Sequence, residues 1–233
     1  MFGGKNKAVT FSYDDGVTQD IRLIEIFDKY NLKATFNINS GLLGQPGSLL
    51  REGKTVNHTT VSPDDVREIY KNHEVAAHTL THPLLTELDE KEIIHQVEDD
   101  RLRLEELTGK PVVGMAYPGG GVNFDMRVAG IIKEHTNIKY ARTTVSSHSF
   151  DLQEDLYCFL PTIYHHREWD SMFETAERFL NCKADKPQLL YVWGHSYEFD
   201  INDSWQKFEE FCKMISGKED IFYGTNKEVL QDK

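Results

Sequence analysis

Two adjacent carboxylates, Asp14 and Asp15, close the run Thr10-Phe11-Ser12-Tyr13-Asp14-Asp15-Gly16, directly after an apolar lead, Ala8-Val9. Neighbouring acids at the end of a buried strand are costly, because carboxylates resist desolvation unless something binds them. One acid holding a metal and the other handling a proton would account for the pair. A helix cap or an ordinary turn would account for Asp15-Gly16 but gives no reason for a second acid. Two histidines, His78 and His82, stand four apart in His78-Thr79-Leu80-Thr81-His82-Pro83. On a single turn that spacing puts both imidazoles on one side, as a shared metal requires. A pair of surface or core histidines is the plainer alternative. A carboxylate after another strand of the same sheet favours the metal, since Asp/His/His with an open water position is a known catalytic zinc pattern.

Further candidates share that placement. Tyr117-Pro118-Gly119-Gly120-Gly121, Arg142 and Gly194-His195-Ser196 each stand at or just after an extended apolar stretch. Glycines let backbone N–H groups approach a substrate oxygen closely. The run is not a phosphate loop, since it lacks both the Lys-Ser/Thr ending and the G-x-G-x-x-G spacing. Tyr117, Trp193 and Tyr197 are candidates for stacking on a ligand ring, with core packing at least as good a reading for Trp193.

The elements that position these residues alternate. Residues 7–13, 33–39, 74–77, 112–116, 138–144, 157–164, 188–193 and 221–223 read as strands. Helical spacing runs over 18–30, 89–109, 124–134 and 169–180, and in a last long helix capped by Asp203 and stopped by Gly217. Ser62-Pro63-Asp64-Asp65 is a helix start with Ser as N-cap and Pro at N1, and Asp89 with Glu92 resembles a capping box. Residues 40–61 read as a long loop, of the kind that carries function or mobility. Strands apolar on both faces, alternating with helices, predict an α/β fold with a parallel sheet wrapped by helices. About seven such units predict a distorted (β/α) barrel, with a doubly wound open sheet as the alternative. Active sites of such folds assemble after the strands, where these residues lie.

The bulk composition fits a single domain over residues 1–233, with 39% hydrophobic and 11% aromatic residues. Twenty-six Lys and Arg against 38 Asp and Glu give a net charge of −12, which repels nucleic acid and anionic membrane. No apolar run approaches the roughly 18 residues of a membrane span. Met1-Phe2-Gly3-Gly4-Lys5 lacks the apolar core of a signal peptide, so a cytoplasmic location is expected, a trimmed secreted form being the alternative. Cys158, Cys182 and Cys212 are odd in number and widely spaced, as reduced thiols would be.

Taken together the blocks resemble the polysaccharide deacetylase family (NodB-type, carbohydrate esterase family four). Its first motif, T-F-D-D-G, corresponds to Thr10 to Gly16; its second, H-[ST]-x-x-H, to His78 through His82; and its last, a strand ending at a histidine, to Leu189 through His195. The resemblance implies a divalent metal, zinc first, with Co2+, Ni2+ or Mn2+ as other candidates. It implies Asp15, His78 and His82 as ligands, Asp14 as general base and His195 as general acid. The implied substrate is an acetylated carbohydrate, losing an N-acetyl group as acetate; an O-acetyl esterase, a small-amide hydrolase or a non-catalytic carbohydrate-binding relative are the alternatives. Tyr117, Pro118 and Gly119 occupy the third motif, with the Gly119 N–H as an oxyanion donor. The motif's usual arginine, which supports the catalytic aspartate, is replaced by Ala116. Arg142, at the end of the next strand, is the candidate substitute.

Overall fold

Lys7–Asp14 (β1) is buried along its whole length, and the rest of the sheet is laid out around it. The structure is a computed structural model that describes residues 1–166 and 169–231. The further strands are β2 (Ala34–Ile38), β3 (Ser48–Arg51), β4 (Lys54–Asn57), β5 (Glu74–Ala77), β6 (Gly114–Ala116), β7 (Tyr140–Arg142), β8 (Ile163–Tyr164), β9 (Gln188–Gly194) and β10 (Ile221–Tyr223). The α-helices are α1 (Asp20–Lys29), α2 (Val66–Ile69), α3 (Glu90–Ile94), α4 (Asp100–Thr108), α5 (Met126–His135), α6 (Trp169–Asn181), α7 (Glu198–Ile201), α8 (Trp205–Ile215) and α9 (Asn226–Gln231). A π turn, His95–Asp99, joins α3 to α4.

Seven parallel strands run in the order β7-β6-β5-β2-β1-β9-β8, and β10 pairs with the first half of β1. One short segment joins the two edges. Phe159 N–H donates to the Ala141 carbonyl at 3.0 Å and its carbonyl accepts from Thr143 N–H at 2.9 Å, while Thr162 N–H donates to Tyr191 at 2.9 Å. The sheet is thus the expected distorted barrel, not the open doubly wound alternative. Among the described residues no helix is long and apolar enough to cross a membrane.

Strand alternation decides what faces inward. Val9, Phe11 and Tyr13 point out to the helices, where Phe11 meets Phe27 at 4.8 Å between ring centroids, and Phe208 and Phe211 edge-on. Thr10, Ser12 and Asp14 have the other parity and face a polar interior. There Asn226 of α9 plugs one end of the barrel: it accepts from Thr10 Oγ1 at 2.9 Å and donates to Ser12 Oγ at 3.2 Å. Asp14 is therefore delivered to the barrel mouth by the same alternation that buries Phe11.

Several expected elements differ. Residues 40–61 contain the antiparallel hairpin β3–β4, whose strands are largely exposed and so carry little apolar alternation. The strand expected over 157–164 is a 3-10 turn, Leu156–Cys158, followed by a single bridge at Phe159 and the two-residue strand β8. Asp203 does not cap α8: it has φ +48°, and Ser204 stands at the N-cap. The helices α7 and α9 were not expected. Ser62 and Asp89 do cap, accepting from the backbone N–H of Asp64 and Glu92.

Phe11→Ala should lower the unfolding free energy by about 3–5 kcal/mol, the cost of emptying an aromatic core site. Urea denaturation measures it; a loss below about 1 kcal/mol would mean that the cluster is not the packed centre.

Candidate active site

Asp15, His78 and His82 come together at the mouth of the barrel, their ligand atoms all within 4.8 Å of one another. Asp15 Oδ1 lies 3.6 Å from His78 Nε2 and 3.6 Å from His82 Nε2. Bonds of about 2.0–2.2 Å at tetrahedral angles set ligand atoms ~3.4 Å apart, so the three donors fit one small divalent cation. The backbone is bent to achieve this: Asp15, Thr79 and His82 have φ of +81°, +68° and +62°. Such strain in non-glycine residues persists only where surroundings enforce it.

Those surroundings are explicit. Asn39 Nδ2 donates to the carbonyls of His78 and Thr79. Gln96, in the π turn, accepts from Leu80 N–H through its own carbonyl and from Thr81 N–H through its side chain. Asp100 accepts from the N–H of His78 at 3.0 Å and of Ser40 at 2.8 Å; burial pushes its carboxyl up to about 7. His78 Nδ1 donates to the Ala116 carbonyl at 2.8 Å, which turns Nε2 toward Asp15 and is the outer-shell contact typical of a ligating histidine. Burial holds the His78 pKa down to about 4, so the ring is neutral, as a ligand must be. Burial opposes ionisation of Asp15, but a hydrogen bond from His58 and the imidazoles of His195, His78 and His82 outweigh it and hold the carboxyl well below its usual range.

Asp14 is 1% exposed. Asn37 Nδ2 donates to its Oδ1 at 2.7 Å, and Arg142 Nη2 to its Oδ2. Arg142 is wholly buried and pairs in register with Ala116 across β6 and β7. The guanidinium thus reaches the aspartate from the strand beside the expected position, past a methyl side chain. Its guanidinium carbon lies 4.4 Å from the Trp193 ring centroid, and Tyr164 stacks on Trp193, also at 4.4 Å.

Across the mouth, His195 Nδ1 lies 3.2 Å from Glu198 Oε1, and His195 N–H donates to Oε2 at 2.9 Å. Glu198 also meets His165 Nε2 at 3.2 Å and accepts from the Tyr164 hydroxyl; Tyr13 OH lies 3.0 Å from His165 Nδ1. Burial lowers the pKa of His195, but the Glu198 carboxylate and the charges of Asp15 and Asp14 prevail and raise it to about 9. Ser196 Oγ donates to buried Asp20 at 2.6 Å, anchoring this turn to α1. At Gly194 a Cβ would stand 2.4 Å from the His165 ring, so the close approach requires glycine.

These groups border a cavity of about 760 Å³, within the size range of small-molecule sites. Gly119 lines it with φ +81°, a conformation that suits glycine and turns its peptide. Pro118 is buried beside it. Tyr117 is wholly buried, stacked on Phe124 and donating its hydroxyl to the Tyr157 carbonyl. It therefore offers the cavity no open ring face, and Trp193 is likewise taken up by Arg142 and Tyr164. Four residues near the centre carry no motif signal: Asn37, Asp100, Glu198 and His58, whose Nε2 lies 3.0 Å from Asp15 Oδ2. Glu198, three residues after His195, was the one within reach of a sequence argument.

The sequence model of the polysaccharide deacetylase family matches residues 3–136. Over 124 residues the chain is 28% identical to the peptidoglycan-N-acetylmuramic acid deacetylase PdaC of Bacillus subtilis, a match that spans 52% of this chain but only 23% of that relative. Among solved structures, peptidoglycan deacetylase PdaC from Bacillus subtilis superposes with a TM-score of 0.54 at 16% identity, over 97% of this chain and 91% of that one. A CE4 family pseudoenzyme from Bacillus anthracis superposes at 0.56 and 18%, over 97% and 66%. These likenesses carry the shared fold through the strands beyond residue 136.

Glu198→Gln should lower the pKa of His195 from about 9 toward the ordinary imidazole value, read from its NMR shifts in metal-free protein. Because the folded pKa is the raised one, this interaction stabilises the fold fully below about pH 6.5 and is lost as pH rises through 9. An unmoved His195 titration would contradict the assigned pairing.

Proposed function

The chain belongs to the polysaccharide deacetylase family, and from that premise we propose that it is a metal-dependent hydrolase. Its substrate is an N-acetylated amino sugar in a polymer or oligosaccharide, and its products are acetate and the free amine. One observation carries the reading. The cation-binding triad stands between a carboxylate held by an arginine and an imidazole held by a carboxylate. A module that only binds sugar has no use for that base and acid.

Two imidazoles and one carboxylate suit zinc first. When bound, the cation supplies Lewis acidity that acidifies water and polarises the acetyl carbonyl. Asp15, neutral His78 and His82 hold it. Asp14, fixed by Asn37 and Arg142, accepts the proton of the attacking water. The Gly119 N–H is the candidate donor to the developing oxyanion, usually a large part of such catalysis. His195 enters the reaction protonated, its Nδ1 held by Glu198, and gives a proton from Nε2 to the departing nitrogen. An amine leaves from a tetrahedral centre only once it is protonated, so a raised imidazole pKa matches an amide better than an ester. The cavity has the size of a small-ligand site and suits a carbohydrate. PdaC, by its name, acts on N-acetylmuramic acid in peptidoglycan, and a glycan of that class is the first substrate to assay.

Asp15→Ala and His82→Ala should lose zinc and activity together. Asp14→Asn should keep zinc and lose activity by about 10²–10⁴-fold, and Arg142→Ala should lower kcat with little loss of zinc. Chelator competition and acetate release, from peptidoglycan glycan strands and N-acetylglucosamine oligomers compared with acetylated xylan, measure these. Equal zinc loss in Asp14→Asn and Asp15→Ala would reverse the roles within the pair, and acetate release from xylan alone would move the reading to an esterase.

A further inference from the structure

Asp15 has two carboxylate oxygens, and the fold divides them. Oδ1 faces both ligating imidazoles at 3.6 Å. Oδ2 faces His58 Nε2 at 3.0 Å. We propose that His58 is a positioning residue of the metal centre, whose Nε2–H holds Asp15 Oδ2 so that only Oδ1 is offered to the cation. This rests on the metal-centre reading given above.

The contact is built in by the backbone. His58 follows β4, on the arm that returns from the hairpin. That arm is strapped to the residues flanking Asp15: Val61 N–H donates to Gly16 at 2.9 Å and Thr18 N–H donates to Thr59 at 2.8 Å. Gln19 Nε2 donates to the Asn57 carbonyl at 2.8 Å, and His58 N–H itself donates to Gly47 at 2.9 Å. The imidazole meets Tyr197 edge to face, with ring centroids 5.2 Å apart. Its backbone is therefore fixed relative to the peptide that carries Asp15, and its ring is packed from the side.

The physical need is specific. Asp15 sits on left-handed backbone at the end of β1, and a carboxylate with a free second oxygen can swing or chelate through both. A donor on Oδ2 selects one orientation and removes the search for it, which tightens binding. Loss of such an outer-shell partner typically weakens metal binding about 10–100-fold.

Two variants separate the donor from the ring. His58→Phe keeps a ring against Tyr197 and has no donor; His58→Gln loses the ring and keeps an amide donor at the reach of Nε2. Zinc affinity is measured by chelator competition on the metal-free chain, beside its melting temperature without metal. The expected result is a dissociation constant about 10–100-fold weaker in His58→Phe, with His58→Gln close to wild type. Wild-type affinity in His58→Phe, or equal weakening in both variants, would overturn the proposal, the latter showing that ring packing is what counts. If wild type itself binds no zinc, the metal-centre reading falls and takes this proposal with it. If wild type binds and His58→Phe binds equally, this proposal falls alone.

Discussion

Two adjacent carboxylates are buried at the end of one strand, and much of the barrel mouth is arranged to make that tolerable. A buried charge is sustained only by partners that satisfy it. Asp14 keeps the inward parity of β1 and finds Asn37 from β2 and Arg142 from β7. Asp15 leaves the strand on left-handed backbone and finds two imidazoles on one side and His58 on the other. Side by side in sequence, the two acids are separated by geometry into different surroundings. That separation is what allows different chemical roles to be proposed for them.

The opposite wall follows the same logic with the charges exchanged. Here the cation is His195, and the carboxylate that sustains it is Glu198, placed by the short helix α7. Glu198 is in turn braced by His165, whose other nitrogen meets Tyr13 among the outward-facing aromatics of β1. One strand thus sets both walls, Asp14 by its inward parity and the brace behind His195 by its outward parity. Groups held this way need little reorganisation during a reaction, which is where preorganised sites gain their rate.

The ligand-type residues were legible because each directly follows an apolar stretch, and parallel α/β folds bring such positions to one end. Strand and helix periodicity, with the caps at Ser62 and Asp89, identified a barrel of about seven strands. Arg142 was found from a gap, since Ala116 removes the arginine a motif would supply; its register opposite Ala116 explains how the exchange works in space. What sequence did not convey acts through neighbours. The β3–β4 hairpin is mostly exposed, so no apolar alternation marks it, and its turn, Glu52-Gly53 with both φ positive, lacks the Asn-Gly or Asp-Gly signal. Asn226 and Asp100 are polar residues whose partners lie far away in sequence. The ring of Tyr117, a candidate for sugar stacking, is spent on the core because the third-motif strand is too deeply buried to present it.

The central claim is that Asp15, His78 and His82 hold one divalent cation beside Asp14. X-ray absorption at the zinc edge of the zinc-loaded chain tests it most directly. The account predicts a first shell of two imidazole nitrogens and carboxylate or water oxygens at about 2.0–2.2 Å, with one imidazole lost in His78→Ala. A shell without imidazole scattering, or one with thiolate sulfur at about 2.3 Å, would contradict it.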